Sequence, residues 1–201
     1  MNNTKSKSTT GFTLVELLVS VSIVTVIMSL ILFSYGTFND NLALSAGGQE
    51  VAIAIRQAQT YGLNVSEATL GSSQFNKAYG IYFNPIVDPT HYYIFVDSNS
   101  NKIYDVGSGC ASGNTECVEK LTLANNITIS SICDSSQCPP TGVESLHITF
   151  LRPNPDADIN FVSSGGGAVG GSQQTGKIIL TSPKGKTLTI DVESTGQISV
   201  Q

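Results

Sequence analysis

Hydrophobic and polar residues follow two different patterns along this chain. From Phe12 to Phe33 the chain is almost uniformly apolar; Glu16 is its one ionisable side chain, and its other polar residues are Ser and Thr. As a helix rising about 1.5 Å per residue, this run would cover about 33 Å, enough to cross a bilayer core. We therefore predict a membrane-spanning helix whose hydroxyl groups bond back to its own carbonyls.

The helical pattern continues beyond the apolar run, from Thr37 to Gly62. Apolar and small residues recur here at steps of three and four and form one face: Leu44, Gly48, Val51, Ile55, Ala58 and Gly62. The polar residues lie mostly off that face: Gln49, Glu50, Arg56 and Gln57. We expect the stripe to pack on a sheet. Gly36 and the pair Gly47–Gly48 are candidate bends, because glycine weakens a helix by about 1 kcal/mol relative to Ala.

After Gly62 the period changes from helical to alternating. Residues 79–83 and 92–96 are aromatic and β-branched runs separated by Asn84-Pro85 and Asp88-Pro89, which predicts a hairpin. Further strands are predicted at 118–123, 127–132, 146–152, 159–162, 177–181, 188–192 and 198–200, the last three as a meander. A helix followed by short antiparallel strands predicts an α+β fold with the helix packed on antiparallel β-sheet.

The N-terminal motif supplies the strongest functional signal. Lys5 and Lys7 precede the segment Gly11-Phe12-Thr13-Leu14-Val15-Glu16-Leu17-Leu18-Val19. This segment resembles the class III signal of type IV pilins and type II secretion pseudopilins. An ordinary signal peptide has a shorter apolar core and a small-residue cleavage site, which fits the sequence less well.

The resemblance implies a processing site and a location. Prepilin peptidase would cut between Gly11 and Phe12 and methylate the new N-terminal Phe12. The protein would be anchored by a single pass in the bacterial inner membrane with an exported globular part, and would join other pilins in a fibre. The expected divisions are a cytoplasmic leader at 1–11, the transmembrane and assembly half of the helix at 12–35, its soluble half at 36–62, and a β-rich pilin-like head at 63–201.

Glu16 has a physical reason to seek another subunit. A carboxylate in a membrane helix is costly unless it is paired. Cleavage would give Phe12 a cationic amine that the Glu16 of a neighbouring subunit can neutralise, which lowers the burial cost of both charges. The alternative is that Glu16 snorkels to the interface.

A looser resemblance concerns the head. Residues 61–62, 79–81, 92–97 and 196–198 are similar to the H-type pseudopilin and FimT-like minor pilin branch. This implies a structural subunit of a type II secretion pseudopilus or a type IV pilus. The alternative is a fibre-displayed binding module for adhesion or DNA uptake.

Charge argues against DNA as a partner. Without the leader, eight basic residues face 15 acidic ones, and no Arg or Lys follows Lys186. FimT-like proteins bind DNA through basic residues near the C-terminus, so that function is doubtful here, although the sequence does not exclude it.

One loop has the pattern of a cation site. Oxygen-bearing residues recur at Asp97, Asn99, Asn101 and Asp105, with the Ile103 carbonyl between the last two, as in the first part of an EF-hand calcium loop. The usual Gly is replaced by Lys102, and Glu116 or Glu119 would have to fold back to complete the ligands. The alternative is a polar turn.

The four cysteines favour two disulfides in an exported domain. Pairing Cys110 with Cys117 and Cys133 with Cys138 closes two short loops, though three connectivities are possible, and a zinc site is the rival interpretation.

The remaining motifs do not recommend an enzyme. Gly165, Gly167 and Gly170 spell a nucleotide-binding pattern, but no helical pattern follows, so we predict a flexible loop. His91 and His147 are predicted to occupy ordinary strand positions.

Overall fold

The structure is a computed structural model that describes residues 11–64, 76–105, 110 and 116–201, without the side chains of 33, 34 and 37. The chain divides into two compact units, Met1–Asn39 and Asp40–Gln201. One helix and ten strands make up the described elements: α1 (Leu14–Leu63), β1 (Ala78–Phe83), β2 (His91–Asp97), β3 (Cys117–Thr122), β4 (Thr128–Cys133), β5 (Ser145–Phe150), β6 (Ala157–Val162), β7 (Ala168–Gln173), β8 (Thr175–Thr181), β9 (Thr187–Glu193) and β10 (Ile198–Val200).

The strands form two antiparallel sheets. The first has the order β3-β2-β1-β5-β6-β7, and the second has the order β10-β9-β8-β4. Every strand pair is antiparallel. The predicted β1–β2 hairpin is present, and its turn is held by Asn84 Oδ1, which accepts hydrogen bonds from the N–H groups of Ile86 and Val87. The predicted meander of β8, β9 and β10 is also present, so the α+β class is confirmed.

The predicted stripe on α1 forms the centre of the main core. All six of its residues are buried, whereas Gln49, Glu50 and Arg56 are exposed and Gln57 is half-buried. The stripe joins apolar residues of both sheets in one cluster, including Ile81, Phe150 and Ile190. Since the helix contacts strands of both sheets, it is a core element of the unit Asp40–Gln201.

The glycines of α1 do not interrupt the helix. The helix continues without a break through Gly36, Gly47 and Gly48. A Cβ atom on Gly48 would lie 2.5 Å from Leu188 Cδ2, and one on Gly62 would lie 2.4 Å from the Phe150 carbonyl oxygen. Gly48 and Gly62 therefore let the sheets approach the helix closely, because any larger residue would collide with them.

The glycine-rich segment corrects part of a prediction. We expected a flexible loop around Gly165, Gly167 and Gly170. Gly165 and Gly167 lie in the turn between β6 and β7, but Gly170 belongs to Ala168–Gln173, the edge strand β7, which pairs with β6 across an irregular register. Gly170 and Gly171 have φ angles of 76° and 71°. Glycine allows this left-handed bulge, so the segment keeps its pairing without the alternating apolar pattern that marks the other strands.

The centre of the first sheet is buried on both faces, whereas its edge strands β3 and β7 are largely exposed. Strands β1 and β5 are buried along their whole length. One face packs on α1, and the other carries the aromatic cluster formed by Tyr82, Tyr93, Phe95 and Tyr104. Tyr104 comes from the segment after β2, so that segment covers the second face of the sheet.

Candidate functional site

The start of α1 is shaped by a capping interaction. Helix α1 begins at Leu14, and the Glu16 N–H donates to Thr13 Oγ1 at 3.2 Å. Thr13 and Glu16 have the Thr-x-x-Glu spacing of a capping box. Gly11 and Phe12 precede the helix and are exposed, so the bond between them is not part of the helical hydrogen-bond ladder. The sequence contained this signal, but we did not assign Thr13 a role from it.

The first turns of α1 present an apolar surface. Leu14–Leu32 is long and apolar enough to cross a membrane, and none of it is buried. Its hydroxyl groups bond back to the helix as predicted: Ser20 Oγ donates to the Glu16 carbonyl at 2.7 Å and Thr25 Oγ1 to the Val21 carbonyl at 2.7 Å. The exposed surface of this segment therefore consists almost entirely of hydrocarbon and the Glu16 carboxylate.

Residues 6–32 match the prokaryotic N-terminal methylation motif. The match covers Gly11, Phe12 and Glu16 together with the apolar segment. This methylation motif indicates a type IV pilin-like or pseudopilin protein. It also implies processing by prepilin peptidase and assembly with other pilins. Searches of curated proteins and of solved structures gave no match.

Outside the methylation motif, residues 97–105, which we call the polar loop, form a cluster of hydrogen-bonded polar groups at the end of β2. The buried Asp97 carboxylate accepts hydrogen bonds from the N–H groups of Asn101 and Lys102, at 3.0 and 2.9 Å. Asn101 Oδ1 accepts the Ile103 N–H at 2.8 Å. Ser100 and Lys102 have φ angles of 67° and 64°, so Lys102 adopts the left-handed conformation that glycine usually supplies at this position.

Glu116 closes this loop from a distance in the sequence. Its side chain is buried, with 2% exposed. Its Oε1 accepts the N–H and the hydroxyl of Ser98 at 3.1 and 2.8 Å, and its Oε2 accepts the Asp105 N–H at 2.8 Å. One carboxylate therefore fixes both ends of the loop. The sequence named Glu116 only as one of two candidates, since eleven residues separate it from Asp105.

The oxygen atoms of the loop are already engaged with N–H donors. Asn99 Nδ2 donates to Asp105 Oδ2 at 2.6 Å. Within the described residues, no group of three or more His, Cys, Asp or Glu side chains is arranged to hold a metal ion. A calcium ion here would depend on the amide oxygens of Asn99 and Asn101 and the Ile103 carbonyl as well as on carboxylates.

His147 joins the loop to the first sheet. It lies in β5 and is 1% exposed, and burial lowers its pKa to about 3. The Tyr104 N–H donates to Nδ1 at 2.9 Å, so the neutral ring carries its proton on Nε2, which lies 3.0 Å from Ser145 Oγ. His91, at the start of β2, contacts the Asp88 carboxylate at 2.5 Å. Both histidines occupy strands, as predicted.

The structure pairs the cysteines sequentially. Cys110 is bonded to Cys117, with 5.1 Å between their Cα atoms, and Cys133 to Cys138, with 4.4 Å. Cys117 follows Glu116 directly and packs against the aromatic cluster. The first disulfide therefore ends beside the carboxylate that closes the polar loop.

Proposed function

We propose that this protein is a minor pilin or pseudopilin, a structural subunit of a type II secretion pseudopilus or a type IV pilus. The observation that carries the proposal is the methylation motif on a helix whose first segment is apolar and fully exposed. A surface of that kind is stable only in lipid or against other apolar helices. The subunit would pass from the membrane into a fibre by exchanging one environment for the other.

The proposed processing site is the bond between Gly11 and Phe12. Both residues are exposed and precede the first helical residue, so a peptidase can reach the bond without unwinding α1. Co-expression with a prepilin peptidase followed by intact-mass measurement tests this step. The expected product lacks residues 1–11 and carries one methyl group on Phe12. Gly11→Val is the control: no atom lies within 4 Å of a Cβ at this position, so the variant should fold normally and remain uncut.

The proposed assembly contact joins Glu16 to the Phe12 amine of a neighbouring subunit. Glu16 is exposed at the start of the apolar segment. Glu16→Ala should therefore be exported, cleaved and held in the membrane, yet be recovered poorly in sheared fibres. Glu50→Ala is the matched control, because Glu50 is an exposed glutamate of the same helix outside the apolar segment. Normal incorporation of Glu16→Ala would contradict the pairing.

We propose that the head belongs to the H-type pseudopilin and FimT-like branch. Two glycines of the resembling segments support this, because the fold requires them. A Cβ on Gly80 would lie 2.6 Å from the Ile148 carbonyl oxygen. Gly196 has a φ angle of 82°, and a Cβ there would lie 2.2 Å from the Pro155 carbonyl oxygen. Both segments therefore contain residues that this architecture needs for close backbone approach.

DNA binding is the less favoured alternative. Three lysines of the head form ion pairs with acidic residues: Lys102 with Asp158, Lys120 with Asp88, and Lys177 with Asp191. Paired lysines are less available to phosphates. A mobility-shift titration at low salt should show no binding, and salt-sensitive binding would favour a DNA-uptake receptor instead.

We also propose that the polar loop binds calcium. Two features support this: Lys102 adopts the left-handed conformation of the missing glycine, and Glu116 folds back onto the loop. The residues that would hold the ion are Asp97, Asn99, Asn101, Ile103 through its carbonyl, Asp105 and Glu116. All of these are oxygen donors, which calcium prefers.

A further inference from the structure

A cavity of about 340 Å³ lies on the aromatic side of the first sheet, within the unit Asp40–Gln201. Its walls come from β1 and the turn after it, the start of β5, the polar loop, and the turn between β6 and β7. Tyr82 and Ser145 are each only 6% exposed, whereas Asn101 and Ser164 are exposed. The cavity therefore has a buried floor and an open rim. Ligand cavities usually measure about 300–1,000 Å³, so this one suits a single small ring.

The hydrogen bonds of His147 leave the Ser145 hydroxyl with a proton to donate. The Tyr104 N–H donates to His147 Nδ1, so the proton of the neutral ring is on Nε2. That proton is donated to Ser145 Oγ, which lies 3.0 Å away. A hydroxyl that accepts a hydrogen bond still has its own proton. Among the described residues, no acceptor for the Ser145 proton lies within hydrogen-bond distance.

The Tyr82 hydroxyl is in the same state. The side-chain oxygen of Asn84 accepts the N–H groups of Ile86 and Val87, which fixes the orientation of the amide. Asn84 Nδ2 then donates to the Tyr82 hydroxyl oxygen at 3.0 Å. Burial raises the pKa of Tyr82, so its hydroxyl keeps its proton at neutral pH. The described part of the chain offers that proton no acceptor. Since an unpaired buried donor is unfavourable, the floor presents two hydroxyl protons to a ligand.

Glu144 supplies an acceptor beside these two donors. It lines the cavity, is half-buried, and is close enough to Tyr82 for its charge to raise the pKa of that hydroxyl. Its carboxylate forms no hydrogen bond or ion pair with another described residue. Asp105 also lines the cavity, so an anionic ligand would be repelled. A carbonyl group could accept from the floor but could not donate to Glu144, whereas a hydroxyl group can do both.

We propose that this cavity binds one neutral pyranose sugar, whose hydroxyl groups accept hydrogen bonds from Tyr82 and Ser145 and donate to Glu144. The open rim would let a longer glycan continue into solvent from the bound ring. The site lies entirely within the unit Asp40–Gln201, so it does not depend on which kind of fibre the subunit joins.

Saturation-transfer difference NMR tests the proposal. The full chain is held in phosphatidylcholine nanodiscs at neutral pH, with a chelator present so that the result does not depend on calcium. The probes are the methyl glycosides of glucose, galactose, mannose and N-acetylglucosamine, and discs without protein give the background. At least one glycoside should bind, and Glu144→Gln and Tyr82→Phe should each weaken its binding several-fold. Glu193→Gln is the matched control, because Glu193 is an exposed glutamate that does not line the cavity.

Two further probes test the chemistry of the ligand. Methyl glucuronide, an anion, should bind several-fold more weakly than the best glycoside, and Glu144→Gln should narrow that difference. N-acetylalanine amide has carbonyl and amide groups but no hydroxyl, and should not compete with the glycoside. The proposal is overturned if none of the four glycosides binds, or if Glu144→Gln and Tyr82→Phe bind as wild type does. Tighter binding of the amide than of any glycoside would assign the cavity to a peptide instead.

Discussion

Replacing His147 by Gln tests whether one buried ring controls the acid stability of the protein. In the folded state burial lowers the pKa of His147 to about 3. In the unfolded chain the ring is solvated and has an ordinary pKa of about 6.5. Because the folded pKa is the lower one, the unfolded state binds more protons between these values. The stability contributed by the neutral ring is thus present above about pH 6.5 and is lost as the pH falls toward 3.

The expected size follows from those two pKa values. At about pH 5 the folded ring is still neutral, whereas nearly all unfolded chains carry a protonated His147. The free energy of unfolding should therefore fall by about 2 kcal/mol between about pH 7.5 and pH 5 on account of this residue alone. Protonation of His147 in the folded state would also remove the acceptor for the Tyr104 N–H. Protonating the buried ring therefore does not restore the lost stability.

Urea unfolding of the compact unit Asp40–Gln201, followed by far-ultraviolet circular dichroism, measures the effect. Between about pH 7.5 and pH 5, the free energy of unfolding should fall by about 2 kcal/mol more in wild type than in His147→Gln. Comparing the two proteins cancels the contribution of the titratable groups that they share. Ser145→Ala is the control, since it removes the partner of Nε2 but keeps the ionisable ring. It should be destabilised at both pH values and keep the pH dependence. Equal pH dependence in wild type and His147→Gln would refute the reasoning.

Two further predictions concern the helix and the polar loop. Gly62→Ala should destabilise the unit by about 1–3 kcal/mol despite the better helix propensity of Ala, because its Cβ would meet the rigid Phe150 carbonyl. Gly47→Ala is the control, since its Cβ would meet only the movable tip of the Ile127 side chain. It should lower the free energy of unfolding by less in the same urea titration. Calcium should raise the melting temperature of the full chain, measured by calorimetry, and the rise should be smaller in Glu116→Gln. An unchanged melting temperature with calcium would mean that the loop is only a polar turn.

The buried stripe of α1 could be predicted because one physical rule determines it. A helix that packs on a sheet must repeat its apolar residues every three or four positions, and the residues from Leu44 to Gly62 do so. The hairpin turn at Asn84 could also be predicted, because a turn depends mainly on the residues within it. By contrast, β7 is an edge strand whose pairing involves the backbone, so its glycine-rich side chains carry no alternating signal.

The polar side of the first sheet could not be predicted from alternation. In β5 the sequence Leu146-His147-Ile148 alternates as if His147 faced water, but the segment containing Tyr104 covers that face. The role of Glu116 could not be predicted from neighbouring residues either, because its contacts with Ser98 and Asp105 depend on how the chain returns after the loop. The Thr13 cap, however, follows from spacing alone and was available in the sequence.

The contacts of α1 also bear on the order in which the protein is made and folded. The helix is synthesised first, but Ser182, which bonds to Asp40, follows it by 142 residues, and Leu188 and Val200 pack against Gly48. The soluble half of the helix therefore cannot be fully covered until nearly the whole chain has emerged. Contacts of such long sequence separation form slowly, and exposed apolar surface invites aggregation in the interval. Until the C-terminal strands have been made, the residues from Leu44 to Gly62 are thus an apolar surface that a chaperone has reason to bind.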